Sequence, residues 1–208
     1  MKKYSYIGVA FIILIFGIYA IPKIVAKFKT PTLIKIAEVP NFEFTNQDGK
    51  LISNSFYEGK VWVVEFFFTT CPTICPRMNE NMVKIQNEFY GNLDFGIASF
   101  SINPKHDTPE ILKAYAKDHG ATLKTWNFLT GDQEKIYELA NKGFTLFAGE
   151  NSDAEGGFEH SGMFALIDKK GNIRSRLDEF GNPIAFYEGL EPYGVQMIKE
   201  DIAILLKE

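Results

Sequence analysis

Two cysteines carry the clearest chemical potential in this sequence, and both lie in one short segment. Cys71 and Cys75 stand in residues 69–76, TTCPTICP, with three residues between them. Two thiols at this spacing can form a disulfide or bind one soft metal ion. Two unreactive core cysteines are the alternative interpretation, but prolines beside both thiols are less typical of it.

The residues on either side predict how these thiols are positioned. Residues 61–68, VWVVEFFF, are apolar apart from Glu65 and predict a strand buried on both faces. Apolar residues at helical spacing follow, and Pro72 and Pro76 suit the first turns of a helix. The positive end of a helix stabilises an anion, so a thiol there should ionise readily. If both cysteines share the first helical turn, they lie about 6 Å apart on one face.

The remaining pattern predicts an α/β domain with a mixed central sheet flanked by helices. The predicted strands are an N-terminal hairpin over 42–53 and segments 93–102, 126–129, 163–167 and 173–177. One predicted helix begins at Thr108. A second begins at Thr130, where Thr130 and Gln133 form a capping box, and ends at Asn141. A last helix is predicted over 195–206. Residues 148–159 read as a mobile loop. Cysteines at the first strand-to-helix turn make this a thioredoxin-like arrangement.

The N-terminus predicts membrane attachment. Residues 4–21 form a run of 18 without a charged side chain, which approaches the length of a membrane-spanning helix. We therefore expect a membrane anchor or uncleaved signal over 1–21, a basic linker over 22–39 and a folded domain over 40–208. A cleaved signal peptide is the alternative, but no convincing cleavage site precedes Lys27. Lysines flank the run on both sides, so charge alone does not favour export of the domain.

The charge distribution argues against a nucleic-acid partner. The chain has a net charge of −4, and the six lysines and one glutamate of residues 1–39 leave −9 on residues 40–208. An acidic domain repels a phosphate backbone. We therefore exclude nucleic-acid binding.

Three histidines and five methionines add further candidate metal ligands. His160 stands before a predicted strand and can face another strand-end site, although a solvated loop histidine is favoured on position alone. His106 lies beside a helix cap and His119 near a helix end, where a surface position is expected. Met78 and Met82 share a helical face, so we expect them in the core rather than on a metal.

Three motifs in order resemble the Sco/SenC family: residues 71–76 (CPTICP), 101–109 (SINPKHDTP) and 159–168 (EHSGMFALID). The similarity extends over about residues 40–206. It implies a thioredoxin-like fold, a membrane anchor and an extracytoplasmic, periplasmic domain that binds copper. The family helps to assemble the Cu_A centre of cytochrome c oxidase, so subunit II is the implied partner, with other copper chaperones as further candidates. The short leader lacks arginine, which argues against a mitochondrial transit peptide.

Carried over to this chain, the resemblance makes Cys71, Cys75 and His160 the ligands of Cu(I), Cu(II) or both. It implies a metallochaperone rather than an enzyme. The family usually has Asp where this chain has Asn103, and often Arg where it has His106. An amide at position 103 cannot accept a proton, which puts any redox step that relies on that acid in doubt.

Two other functions stay open. Cys71 and Cys75 could act as the catalytic pair of a thiol-disulfide reductase that reduces oxidase or other exported cysteines. Dedicated thioredoxin-type oxidoreductases have two residues between the cysteines and a cis-proline before the later strand. This chain has three, and no proline between Glu159 and Met163, which favours metal binding. A peroxidase that uses one reactive cysteine is the third hypothesis.

Overall fold

The chain divides into two compact units in a computed structural model that describes residues 5–28, 31–154 and 156–208. The first unit ends at Thr32, and its helix α1 spans Ser5–Phe28. Among the described residues, no helix combines the length and apolar character needed to cross a membrane. Residues 1–4 of the predicted anchor lie outside the described residues.

The second unit, Leu33–Glu208, contains the cysteines and alternates strands with helices along most of its length. Its described helices are α2 (Asn54–Tyr57), α3 (Ile74–Glu88), α4 (Pro109–Asp118), α5 (Gln133–Glu138), which continues as a π-helical segment (Leu139–Phe144), and α6 (Pro192–Leu205). Its described strands are β1 (Leu33–Glu38), β2 (Glu43–Asn46), β3 (Leu51–Ser53), β4 (Val61–Phe67), β5 (Phe95–Ser101), β6 (Trp126–Thr130), β7 (Ala148–Glu150), β8 (Phe158–His160), β9 (Met163–Ile167), β10 (Asn172–Arg176) and β11 (Tyr187–Glu188).

A mixed sheet forms the centre of this unit. Its strand order is β1-β10-β9-β4-β5-β6-β2-β3, with β11 added beside β9. Strands β4, β5 and β6 run parallel, and the other pairs are antiparallel. Parallel neighbours end at the same edge of a sheet, so the segments after β4 and β5 meet there. The prediction of a mixed α/β, thioredoxin-type sheet is confirmed.

Strand β4 is the centre of the core because both of its faces are covered. All seven of its residues are buried. The Phe66 ring packs 5.4 Å from the ring of Phe100 on one face. The next ring, Phe67, lies 5.4 Å from Tyr115 of α4 on the other face. Burying each such aromatic side chain stabilises the fold by about 1.5–3 kcal/mol, which explains the continuous apolar sequence of this strand.

Three local predictions differ from the structure. Strand β1 lies within the predicted linker, because residues 33–38 pair with β10. The predicted loop over 148–159 contains β7 and the first two residues of β8, and these strands pair with each other in a separate two-stranded sheet. The capping box at Thr130 is wrong: Asp132 caps α5 by accepting a hydrogen bond of 2.9 Å from the Lys135 N–H. Thr130 is instead the last residue of β6.

Candidate metal centre

The cysteine turn, which we define as residues 68–73, connects β4 to α3. The N–H of Cys71 donates to the carbonyl of Phe68 at 3.2 Å, which closes the turn. Helix α3 begins at Ile74, so Cys71 precedes the helix and Cys75 is its second residue. The two cysteines therefore do not share the first helical turn.

Strand β8 brings His160 to the cysteine turn from a distant part of the sequence. His160 pairs with Ala148 across the small sheet. Its ring meets the Phe68 ring edge to face, with centroids 5.9 Å apart at 85°. Cys71, Cys75 and His160 are all buried, with exposed fractions of 8%, 1% and 7%. The predicted site residues thus lie together, although 85 positions separate Cys75 from His160.

The three side chains present their ligand atoms to a common point. One sulfur or ring nitrogen from each residue lies within 4.8 Å of the other two. The His160 Nδ1–H donates to the carbonyl of Ser161 at 3.0 Å, so the neutral ring carries its lone pair on Nε2. That Nε2 atom lies 3.0 Å from the Cys75 sulfur. The Ser161 carbonyl therefore fixes the tautomer in which Nε2 is free to bind a metal.

The electrostatics of the pair favour one thiolate and one thiol. A hydrogen bond from the Cys75 thiol lowers the pKa of Cys71 far below its usual range. The same hydrogen bond, together with burial, raises the pKa of Cys75. The Cys75 thiol faces two acceptors for its proton, the Cys71 sulfur and His160 Nε2. A soft metal ion in place of that proton would meet all three ligand atoms.

A buried acid lies in the strand that leads to the cysteine turn. Glu65 is fully buried in β4, and its Oε1 accepts a hydrogen bond of 2.7 Å from the Ser99 hydroxyl. Its other oxygen, Oε2, has no hydrogen-bond partner in the described structure. Burial raises the pKa of Glu65 to about 7. Below about pH 7 this carboxyl is therefore mostly protonated, so it adds little negative charge beside the thiolate there.

A cleft of about 310 Å³ opens over the candidate site. Phe68, Ile74 and Phe158 contribute its apolar wall, and Asp153 and Glu159 are acidic residues of its lining. A larger cavity of about 680 Å³ lies between β2 and α5, but its lining contains no cysteine or histidine. The smaller cleft therefore gives solvent and partners access to Cys71 and His160, which belong to its lining.

The other candidate ligands lie elsewhere. Met78 and Met82 are fully buried in α3, which confirms their expected place in the core. His119 stacks on Tyr115, with ring centroids 4.0 Å apart, and its Nδ1 lies 2.9 Å from the carbonyl of that residue. The side chain of His106 is 48% exposed, and its Nδ1 lies 2.8 Å from a carboxylate oxygen of Asp107. Of the three histidines, only His160 therefore lies beside the cysteines.

Sequence reasoning missed Asp107 as a residue of the site. Its carboxylate is fully buried and bonds to the backbone of Thr69 in the cysteine turn. Asp107, four positions after Asn103, thus supplies the acid that touches this turn. An acidic residue between a strand end and a helix cap was the available signal, because such loops share the sheet edge with the cysteines.

Comparison with known proteins identifies the family. A SCO1/SenC family model matches residues 32–193. A SCO1 protein homolog of Bacillus subtilis is 38% identical over 138 residues, which cover 65% of this chain and 71% of the homolog.

Solved structures support the same family assignment. A SCO1/SenC family lipoprotein from Bacillus anthracis has a TM-score of 0.71 at 33% identity and covers 81% of this chain and 95% of its own. BsSco, described as a member of the Sco family of cytochrome c oxidase assembly proteins with a disulfide switch, has a TM-score of 0.70 at 31% identity, covering 87% and 98%. The Arabidopsis thaliana ScoI structure with copper bound shares the fold, with a TM-score of 0.64 at 21% identity and coverage of 82% and 99%. This chain belongs to the SCO1/SenC family.

Proposed function

We propose that the domain is a copper-binding assembly factor that holds copper through Cys71, Cys75 and His160. The observation that carries the proposal is the meeting of these three ligand atoms within 4.8 Å in a partly open cleft. Two sulfurs and one imidazole suit copper, and the soft thiolates favour Cu(I) in particular. The bound copper ion would be the cargo that the protein transfers.

The proposed recipient is the Cu_A-bearing subunit II of cytochrome c oxidase. Support comes from the family to which the chain belongs and from BsSco, a relative described as a cytochrome c oxidase assembly protein. A recipient site rich in thiolates can compete for Cu(I) by ligand exchange in the open cleft. Other copper chaperones are candidate donors for the same site.

Movement of β8, the strand that carries His160, could release the copper. Strands β7 and β8 form their own two-stranded sheet rather than extending the large one, and only three residue pairs join them. A movement of this hairpin would withdraw one ligand while both cysteines stay in place. The segment that we propose to move during copper release is therefore a hairpin rather than the irregular loop predicted over 148–159.

A thiol-disulfide reductase is the second candidate function. One observation favours it: Cys71 has a strongly lowered pKa, and a second free thiol lies next to it. A thiolate with a neighbouring thiol can attack a disulfide and then be released by that thiol. Reduction of a recipient's cysteines would also precede metal transfer to them, so the two functions are compatible.

Anaerobic titration of the reduced protein with Cu(I) tests these functions. We expect one Cu(I) per chain, because one three-ligand centre is present in the described structure. Replacing Cys75 by alanine should abolish stoichiometric binding, since it removes a buried thiolate ligand. A Met78→Ala variant serves as the control, because its sulfur lies in the core. Absence of copper binding together with rapid disulfide exchange would reject the chaperone in favour of the reductase.

We further propose that residues 1–21 attach the protein to the membrane and that the domain lies on the extracytoplasmic side. The support is the uncharged run over residues 4–21 and the family resemblance. A membrane-impermeant maleimide added to intact cells should then label Cys71, whereas Cys75 is only 1% exposed. A Cys71→Ser variant should lose the label. Labelling that requires permeabilised cells would contradict this location.

A further inference from the structure

A buried carboxylate joins the cysteine turn to the segment after β5. Asp107 is fully buried and accepts four hydrogen bonds. The Thr69 N–H donates to it at 3.0 Å and the Thr69 hydroxyl at 2.5 Å. The Ser101 hydroxyl donates at 2.5 Å, and the His106 ring N–H donates at 2.8 Å from the solvent side. We call these four residues the Asp107 cluster.

The Asp107 cluster lies just beyond the last residue of β4, Phe67. The ladder between β4 and β5 ends at the pair Phe67 and Ser101. The Thr69 N–H lies beyond that pair, so it needs another acceptor, and Asp107 supplies it. Thr69 is two residues before Cys71, which places the constraint at the start of the turn that carries the metal-binding sulfur.

We propose that Asp107 is a positioning residue that fixes the cysteine turn, through Thr69, in the conformation that binds copper. This inference rests on the proposed copper-binding function. The carboxylate holds both the backbone and the side chain of Thr69, and two such bonds fix the direction in which the chain leaves the sheet. Hydrogen bonds to a charged acceptor are stronger than neutral ones, so a carboxylate serves this purpose better than an amide.

The cluster also explains the motif that departs from the family pattern. The side chain at Asn103 is not needed for this constraint, because its backbone N–H bonds Ser101 and its carbonyl accepts the Asp107 N–H at 2.9 Å. Asn103 therefore helps to shape the loop that presents Asp107. The acid that the cysteine turn requires is retained four positions later in the chain.

Substitutions at Thr69 separate positioning from general stability. Thr69→Val keeps the shape of the side chain but removes its hydroxyl, and Thr69→Ser keeps the hydroxyl as the matched control. We expect Thr69→Val and Asp107→Asn to weaken Cu(I) binding by about tenfold, as loss of groups that orient metal ligands commonly does. Thr69→Ser should stay within about twofold of the unmodified protein, since its hydrogen bonds are kept.

A second measurement uses the metal-free protein. Cys71 lies in the lining of the cleft, so its rate of alkylation by iodoacetamide reports access to this sulfur. In Thr69→Val and Asp107→Asn the cysteine turn should move more freely and expose this sulfur. We expect the alkylation rate to rise about fivefold, which corresponds to the free energy of one lost hydrogen bond. Thr125→Val removes a hydroxyl that donates at 2.7 Å to the carbonyl of Phe95, at the other end of β5, and it should change neither the rate nor the affinity.

The outcomes separate the two proposals. If the unmodified protein binds no Cu(I), the proposed function fails, and the alkylation rates still decide the role of Asp107. If it binds Cu(I) and Thr69→Val behaves like Thr69→Ser in both measurements, the positioning role is overturned. Equal changes in Thr69→Val and Thr125→Val would also overturn it, because they indicate a general loss of stability.

Discussion

Replacing His160 by alanine is expected to weaken Cu(I) binding by at least about 100-fold. Loss of a residue that only orients a ligand costs about 10–100-fold, and His160 would bind the metal itself. Its Nε2 already lies 3.0 Å from the Cys75 sulfur, with the other ring nitrogen held by the Ser161 carbonyl. Competition with a Cu(I) chelator of known affinity measures the change.

Two further variants make this experiment decisive. His119→Ala removes a histidine that stacks on Tyr115, and it should leave the affinity unchanged. His160→Met replaces the imidazole by a soft thioether, which should restore Cu(I) binding far better than Cu(II) binding. Circular dichroism of each metal-free variant shows whether the fold is intact. If folded His160→Ala binds Cu(I) as tightly as the unmodified protein, His160 is not a ligand.

Replacing Glu65 by glutamine should stabilise the metal-free protein at high pH but not at low pH. The folded protein raises the pKa of this carboxyl from 4.5 to about 7, chiefly by burial. Glu65 therefore binds its proton more tightly in the folded state than in the unfolded one. Its contribution to stability is complete below about pH 4.5 and is lost as the pH rises through 7.

This shift corresponds to about 3 kcal/mol in the free energy of unfolding. Glutamine stays neutral at every pH, so the advantage of Glu65→Gln should grow from near zero at about pH 4.5 to about 3 kcal/mol above pH 7.5. Urea unfolding of the reduced, copper-free protein across this range measures it. Glu43 is an exposed residue of β2, so Glu43→Gln should show no such trend. A difference between Glu65→Gln and the unmodified protein that does not grow with pH would contradict the raised pKa.

Local sequence determined the strand, the turn and the helix that carry the cysteines. Residues 61–68 are apolar because both faces of β4 are covered, and this requirement appears in the sequence as an uninterrupted pattern. The N-cap of α4 at Thr108, followed by Pro109, was equally readable, since capping depends on neighbouring residues. The spacing of the two thiols likewise indicated a disulfide or a soft metal ion without any tertiary information.

Short-range patterns were less informative where pairing partners are distant. Strand β1 reads as a basic linker, because its pairing with β10 joins residues more than 130 positions apart. Strands β7 and β8 are three residues each, too short for an alternating pattern to stand out from a polar loop. The N-cap of α5 is Asp132 rather than the predicted Thr130, because Thr130 still belongs to β6.

Only the tertiary structure decided which histidine and which acid belong to the site. Position in the sequence favoured a solvated loop for His160, and family resemblance rather than any local pattern brought it to the cysteines. The β7–β8 pairing and the packing on Phe68 place its ring there. Asp107 reaches the turn because β4 and β5 run parallel and end at one edge. The sequence by itself determined the chemistry of the cysteine pair. The sheet decided that His160 is the third candidate ligand and that Asp107 supports the turn, because contacts between distant strands leave no local periodicity in the sequence.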